Sequence, residues 1–457
     1  MSASHGSSAR SAVRRAGLCL AIVSAACDAG TDHAGERVRP RVERTTPPRA
    51  SGPPTSGTPG NARPGAGSAD PLAGIDDPVG PTEIVAPSPP GPLSEETMRA
   101  ALPASGCVRL DAGPVRLWNG AGPIEAKAAG SYVYVAGIAS VDANQELWVV
   151  RVSLEKAPVP MYRERLERPV RGHIVGPALA PGSAGRLAVA FVTADGAIAW
   201  RVLEPGSPRN PRASAAIGTS ADTRFPLALR ALGSQWLLAW TDGSRTSLRV
   251  RLARLGPDGG VMQQADVTPT AMTAAAPVFL DGALYLIDPR DGVSTLWRVP
   301  LDADGRPADP VVAHAVGAVP APTRLAAARA GNAVWLAYVA MGSLGTTAIG
   351  LVRDAGRDVP RPLVRGTGYG RLTVSAASGE RAAVFAAEVP RGPEPDAPRE
   401  VHLRVVDARG QLGEPLVVRG PDGSARAVAI ARRADGVVLV AFESAGAIHG
   451  AFARCDD

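Results

Sequence analysis

A short apolar segment recurs seven times along the last three-quarters of the chain, in its commonest form as two aliphatic residues, Ala and an aromatic residue. Measured at the Ala or its equivalent, successive copies lie about 50 residues apart, a spacing within the range of known repeat units. The composition of each copy is typical of a buried strand. A fixed period of this length indicates a repeated supersecondary unit. The copies are Val133–Ala136, Ala188–Phe191, Leu237–Trp240, Tyr285–Asp288, Trp335–Tyr338, Val384–Ala387 and Leu439–Phe442.

Two further features share this period. Segments such as Glu146–Val152, Leu248–Arg254, Ser294–Val299 and Val401–Val406 follow the apolar copies and alternate between polar and apolar residues, which predicts half-buried strands. Glycine-bearing turns then recur in step with the apolar copies. Glycine favours such turns because it accepts a positive φ at no steric cost. The turns are Asp258-Gly259, Asp304-Gly305, Ala355-Gly356 and Arg409-Gly410.

The shared period predicts about four strands in each unit and near 28 in all. Sheets of this size pack best as radial blades, which leave only short edges exposed. From residue 105 to residue 457 the chain therefore resembles a divergent β-propeller of the kind found in secreted bacterial proteins. The predicted fold is all-β, a single propeller with seven four-stranded blades. Six or eight blades, or an open solenoid, are the alternatives.

Two cysteines lie at opposite ends of this region. Cys107 stands at its start and Cys455 close to the end of the sequence. If the ring closes, the last blade needs an outer strand, and Cys107–Trp118 can supply it. The two thiols would then meet where other blades have their glycine-bearing hairpin. We predict a disulfide between them in an oxidising compartment, the alternative being two unpaired thiols in a cytosolic protein.

The segment 1–26 resembles a secretory signal peptide. A positive segment with Arg10, Arg14 and Arg15 precedes the apolar stretch 16–26, which is too short to span a bilayer. Small residues then lead directly to Cys27, as in the acylation signal of bacterial lipoproteins, although Ser24 stands where that signal usually has Leu. The resemblance implies that Cys27 carries a lipid and anchors the protein to a membrane. The alternative is ordinary cleavage that releases a secreted protein.

A proline- and glycine-rich segment follows the predicted acylation site. More than a third of the positions from Asp28 to Leu93 are Pro or Gly, and the first aromatic residue of the chain is Trp118. Such a composition buries too little apolar surface to offset the entropy of ordering the chain. We predict a disordered tether over residues 27–93, a short helix over 94–104 and the propeller over 105–457.

The linear sequence shows no established catalytic or cofactor motif, and we expect no cofactor. Asp302, Asp304 and Asp309 resemble part of a calcium loop, but a plain hairpin turn explains the same residues, so they are weak metal candidates. The formal net charge is +6, and most of it falls within the segment 1–60. Because the remaining chain lacks a clustered basic face, nucleic acid is not an expected partner.

Two functions from different classes fit these features. The first is a tethered, monomeric module at the cell envelope that binds or scaffolds a protein or glycan without catalysing a reaction. The second is a glycoside hydrolase or polysaccharide lyase whose acids gather in the central channel from different blades. Convergence of two or more acids with shifted pKa values at one mouth of the channel would favour the enzyme.

Overall fold

The computed structural model describes residues 106–455 apart from short gaps. The predicted signal peptide, Cys27, the tether and the helix over 94–104 lie outside the described residues, as does the turn at 355–356. Within the described residues, no helix is both long enough and apolar enough to cross a membrane. The gaps are 111–112, 142–143, 167–175, 194–195, 205–212, 218–220, 223, 245–246, 270–271, 290–292, 320–322, 342–345, 355–358, 369–371 and 395.

The described residues form 29 β-strands and one short 3-10 turn. The chain begins with β1 (Cys107–Arg109) and β2 (Val115–Asn119). Blade 1 contains β3 (Ile124–Ala129), β4 (Tyr132–Val141), β5 (Asn144–Val152) and β6 (Val159–Leu166). Blade 2 contains β7 (Ala178–Pro181), β8 (Leu187–Val192), β9 (Ile198–Leu203) and β10 (Ala213–Ile217). Blade 3 contains β11 (Ala228–Leu232), β12 (Gln235–Ser244), β13 (Ser247–Leu255) and β14 (Val261–Asp266).

The remaining blades continue in chain order. Blade 4 contains β15 (Ala275–Leu280), β16 (Ala283–Ile287), β17 (Ser294–Pro300) and β18 (Val311–Val316). Blade 5 contains β19 (Leu325–Ala330), β20 (Ala333–Met341), β21 (Thr347–Arg353) and β22 (Arg361–Gly368). Blade 6 contains β23 (Val374–Ala377), β24 (Ala382–Pro390), β25 (Arg399–Asp407) and β26 (Leu416–Val418). Blade 7 contains β27 (Arg426–Arg432), β28 (Val437–Ser444) and β29 (Ala447–Cys455).

The blades form a closed ring. Within each blade, every strand pairs antiparallel with the next one in the sequence, and the first strand is the innermost. The innermost strands contact one another in succession, and β27 contacts β3, so that blade 7 meets blade 1. The predicted seven-bladed β-propeller is confirmed. The seven recurring apolar segments are the second strands of the blades, and the alternating segments are the third strands.

The two ends of the described chain meet in blade 7. Both β1 and β2 pair antiparallel with β29 and supply the outer strand that the C-terminal residues lack. Cys107 lies directly opposite Cys455, and their sulfur atoms are 2.06 Å apart. The predicted closure and disulfide are therefore present, and the disulfide lies where other blades have the hairpin between third and fourth strands.

Alternate residues of each second strand pack against the two neighbouring blades. Trp236 on β12 belongs to the apolar layer between blades 2 and 3, whereas Leu237 belongs to the layer between blades 3 and 4. Both side chains are almost fully buried. Successive strand residues point to opposite faces of the sheet. A strand whose two faces each pack against a neighbouring blade must therefore be apolar on both faces. This explains the continuous apolar segments in the sequence.

The turn glycines also contribute to packing between blades. Gly410 has a φ of +80°, and a Cβ atom there would lie 2.4 Å from the Trp335 ring of the preceding blade. Gly305 has a φ of +79°, and its Cβ would lie 2.7 Å from Leu237. These positions need glycine both for the backbone conformation and for the close approach of the next blade.

Two faces of the ring are distinguished by their connections. We call the lower face the side with the hairpins that join first to second strands and third to fourth strands, where the disulfide lies. The upper face carries the connections between second and third strands and the segments that lead from one blade to the next. Every innermost strand therefore begins at the upper face and ends at the lower face.

Candidate functional site

The innermost strands of six blades line a central channel with a cavity volume of about 130 Å³. Three charged side chains contribute to this lining, namely Glu125, Lys127 and Arg324. Apart from Ser375, the rest of the wall consists of apolar residues, and five of them are alanines. A concave site with a few convergent polar groups on an apolar wall is typical of ligand sites. The small wall residues include Ala178, Ala228, Ala326, Ala327 and Ala376.

Two of the charged residues in the channel form an ion pair on β3. Lys127 Nζ lies 2.8 Å from Glu125 Oε1, and the two side chains are 45% and 31% exposed. Residues two apart on a strand share a face, so the pair runs along the channel wall. Since each charge compensates the other, the pair adds no net charge to the channel.

Arg324 lies at the upper end of the channel, directly before β19, and is half-buried. The channel lowers the pKa of its guanidinium because it withdraws the group from solvent, while the carboxylates of Glu125 and Glu388 act in the opposite direction. Within the described part of the chain, no residue accepts a hydrogen bond from this guanidinium. Arg324 is thus a partly desolvated cation that faces the channel.

A buried hydrogen-bond network adjoins the channel in blade 6. Glu388, near the upper end of β24, is 2% exposed and lies 2.9 Å from Arg399 Nη1. Its other carboxylate oxygen accepts hydrogen bonds from the backbone N–H of Thr373, at 3.0 Å, and from the Thr373 hydroxyl. That hydroxyl in turn accepts a bond from the backbone N–H of Val428 in blade 7, at 3.1 Å. The network holds blades 6 and 7 together beside the channel.

Blade 7 adds a third acid and a third arginine. Glu443 near the upper end of β28 lies directly opposite Arg426, the first residue of β27. Burial raises the pKa of Glu443, and the nearby carboxylates of Glu388 and Asp422 act in the same direction. The backbone N–H of Gly122, which leads into blade 1, and Arg426 oppose this effect. Glu443 therefore joins blades 7 and 1 at the same end of the channel.

We call this group of residues from four blades the channel mouth. Its acids are Glu125, Glu388 and Glu443, and each has a basic neighbour: Lys127, Arg399 and Arg426, respectively. Arg324 remains as one positive charge in excess. The mouth offers charged donors and acceptors in a partly dehydrated setting, which suits a polar ligand that bears negative charge. Its members are Gly122, Glu125, Lys127, Arg324, Thr373, Glu388, Arg399, Arg426 and Glu443.

Of the weak metal candidates, Asp302 is engaged in a hairpin turn. One carboxylate oxygen of Asp302 accepts the backbone N–H groups of Asp304 and Arg306, at 2.9 and 2.8 Å. Gly305 N–H donates to the Asp302 carbonyl oxygen. Across the described residues, no group of three or more His, Cys, Asp and Glu side chains is arranged to hold a metal ion. The hairpin explanation fits this loop, and Asp309 lies exposed after it.

A larger concavity of about 570 Å³ lies outside the ring between blades 5 and 6. Two of its polar residues are engaged with neighbours. Arg361 donates to the carbonyl oxygen of Gly410 at 3.2 Å, and His402 lies 2.8 Å from Glu400. Its wall also contains Leu363, Val364 and Leu412. Arg361 and His402 thus have partners, whereas the Nε of Arg404 in the same cleft is buried without a hydrogen bond among the described residues. We place the candidate ligand site at the channel mouth because charged side chains from four blades converge there.

Comparisons with known proteins support the fold. No protein-family model matches the chain, and no curated protein matches it. Among solved structures, the BP39L lectin from Burkholderia pseudomallei is similar, with a TM-score of 0.53 and 16% identity over 73% of this chain and 96% of the lectin. An ulvan lyase from a new family of polysaccharide lyases has a TM-score of 0.48 and 9% identity over 75% and 95% of the two chains. At 16% identity, the likeness to the lectin shows the propeller fold alone.

Proposed function

We propose that the protein is a binding module of the cell envelope and that it holds a glycan at the channel mouth. The observation that carries this proposal is the convergence of charged side chains from blades 5, 6, 7 and 1, most of them buried or half-buried, at one end of the channel. Most of these charged side chains lie on strands, and Arg324 lies directly before the first residue of β19. A site on rigid elements binds without first ordering the chain, which favours affinity.

The chemistry of the mouth supports a glycan over a protein ligand. Sugars present closely spaced hydroxyl groups that both donate and accept, and Glu443 and Arg426 offer matching groups. The channel itself admits a small group rather than a folded surface, given its volume of about 130 Å³. The lectin that shares the propeller fold is consistent with this proposal.

Catalysis on a polysaccharide is supported less well. A glycosidase of the common kind needs two carboxyl groups free to act on the bond, one as acid and one as nucleophile or base. The raised pKa of Glu443 suits a proton donor. However, Glu388 accepts hydrogen bonds from Arg399 and Thr373, and Glu125 is paired with Lys127. This leaves Glu443 without a second free carboxylate, so binding is the function that the geometry favours.

The proposal predicts that the purified full-length protein binds polysaccharides without cleaving them. A panel should include polygalacturonate and hyaluronan as acidic polymers and dextran as a neutral one, with binding followed by calorimetry and chain length by size-exclusion chromatography. We expect binding to at least one acidic polymer and an unchanged chain length. Shortening of the polymer would support the enzyme instead. Capture of an envelope protein with no polysaccharide binding would favour a protein ligand.

We also propose that Cys27 carries the lipid anchor that holds the propeller at the membrane. Replacing Cys27 by Ser removes the thiol that would be acylated, so the variant is expected to leave the membrane fraction almost completely. The measurement is incorporation of an alkyne-labelled palmitate analogue, together with fractionation of cells that express the protein. Cys19→Ser is the matched control, because Cys19 lies within the predicted signal peptide. A C27S variant that remains labelled and membrane-bound would refute the anchor.

A further inference from the structure

Arg324 has more hydrogen-bonding capacity than its surroundings use. Its guanidinium can donate five hydrogen bonds, and its side chain lines the channel beside the start of β19. The hydrogen bond that the structure gives this residue is to its backbone carbonyl oxygen, from the Thr323 hydroxyl at 3.5 Å. Among the described residues, no carboxylate lies within ion-pair distance of the guanidinium. Its donors therefore face the channel.

The acids near Arg324 are already compensated. Glu125 and Glu388 influence the guanidinium electrostatically, but Glu125 is 2.8 Å from Lys127 and Glu388 is 2.9 Å from Arg399. A partly desolvated cation without an anion of its own is unfavourable in the ligand-free protein. An anion that binds beside Arg324 would compensate this charge. The relief of the unfavourable state would add to the affinity of the site for anions.

The space beside Arg324 suits a small planar anion. The adjoining walls carry the side chains of Ala326, Ala327 and Ala376, which leave room and offer no competing charge. A guanidinium is planar and presents a fork of two N–H groups that matches the two oxygens of a carboxylate. A carboxylate of a sugar acid can enter as a side group while the rest of the sugar stays at the mouth.

From this geometry we infer that Arg324 is the recognition residue for a carboxylate group, and that the protein selects glycans that carry carboxylated sugars. This inference rests on the proposed function for its glycan, but the anion site itself does not depend on a polymer. Arg324 binds the carboxylate through two parallel charge-assisted hydrogen bonds, and the residues at the mouth contact the sugar hydroxyls.

The test uses the full-length protein with sodium glucuronate, sodium acetate and glucose at constant ionic strength, each followed by isothermal titration calorimetry. Glucuronate and acetate should bind the wild-type protein, and glucose should bind far more weakly than glucuronate. Arg324→Gln should lower the affinity for both anions roughly tenfold to a hundredfold, the range expected for loss of a hydrogen-bonded charge pair. Arg324→Lys keeps the positive charge but lacks the two parallel N–H donors of a guanidinium. Its loss of affinity for both anions should be smaller than that of R324Q.

Arg329→Gln is the matched control because Arg329 lies near the lower end of β19, the strand that follows Arg324, and pairs with Asp281. R329Q should bind both anions like the wild type. Thermal unfolding should show that R324Q is folded and no less stable than the wild type, since the substitution removes an uncompensated charge. Equal anion affinity in R324Q and wild type, equal losses in R324Q and R329Q, or no anion binding by the wild type would overturn the inference.

The polymer experiment separates this inference from the proposed function. If glucuronate binding depends on Arg324 but no polysaccharide binds, the carboxylate site stands and the glycan-binding function fails. If R324Q binds an acidic polysaccharide as tightly as the wild type does, the function stands and the role of Arg324 is refuted.

Discussion

Replacing both Cys107 and Cys455 by Ser is expected to lower the free energy of unfolding by roughly 2–5 kcal/mol. The disulfide joins residues 348 positions apart in the sequence. In the unfolded chain it therefore restricts a very long loop, which is where cross-links stabilise most in the chain-entropy account. In the folded ring the disulfide holds β1 against β29, and its Cys455 half is buried, with 1% of the residue exposed.

Urea unfolding of the full-length protein, followed by tryptophan fluorescence, measures this effect. Each single variant, C107S or C455S, should lower the free energy of unfolding about as much as the double variant does, because either substitution breaks the same bond. Wild-type protein unfolded in the presence of a reductant should match the variants. An unchanged midpoint after reduction, with free thiols verified by alkylation, would show that the disulfide does not stabilise the ring.

Replacing Glu388 by Gln should lower the free energy of unfolding by about 3 kcal/mol, since it removes one partner of a buried ion pair. The Glu388 and Arg399 side chains are 3% and 14% exposed. Without the carboxylate, the Arg399 guanidinium loses the counter-charge that lies 2.9 Å from it. The bonds to Thr373, which link blades 6 and 7, are weakened at the same time. The change in unfolding midpoint in urea measures the loss.

An ion pair with one exposed partner provides the matched control. Glu146 and Arg163 on neighbouring strands of blade 1 lie 2.7 Å apart, but the Arg163 side chain is 58% exposed. Glu146→Gln should lower the free energy of unfolding by less than about 1 kcal/mol, because water screens the charge of the exposed partner. The double variant E388Q/R399M should recover part of the stability lost in E388Q, because it also removes the mostly buried positive charge that Glu388 compensates. Equal losses in E388Q and E146Q would contradict this assignment of the network.

The repeat unit could be predicted from the sequence because two of its strands carry strong signals. The second strand lies between blades and is apolar on both sides, and the third strand alternates in polarity, as β12 and β13 show. The closing strand could also be predicted, because a ring brings Cys107 next to Cys455. Short innermost strands such as β7 gave no periodic signal of their own, since four residues are too few for one.

A second series of turns was present in the sequence and was missed. Two-residue hairpins with a positive-φ glycine join the first and second strands of blades 1, 3, 4 and 5. Their spacing follows the same period, and each contains Gly beside Ser, Asp or Asn, a pair typical of hairpin turns. Reading them would have placed the innermost strands directly before them. The glycines are Gly130, Gly233, Gly282 and Gly331.

The channel mouth could not be predicted, because its residues come from four blades and span the sequence from Gly122 to Glu443. No linear motif connects Arg324 with Glu125 or Arg426. Each lies close to the start of an innermost strand, and only the closed ring brings these starts together. In a chain with 47 arginines, a single arginine at such a position stands out only once the structure shows its surroundings.

Hydrogen–deuterium exchange of the full-length protein, with and without polygalacturonate, tests most directly whether ligands bind at the channel mouth. The account predicts that the polymer slows exchange at the upper ends of the innermost strands, around residues 122–126, 323–326, 372–375 and 425–428. Peptides from the lower-face hairpins and from the cleft between blades 5 and 6 should exchange as before. Protection confined to that cleft or to the lower face, with the mouth unchanged, would contradict the account.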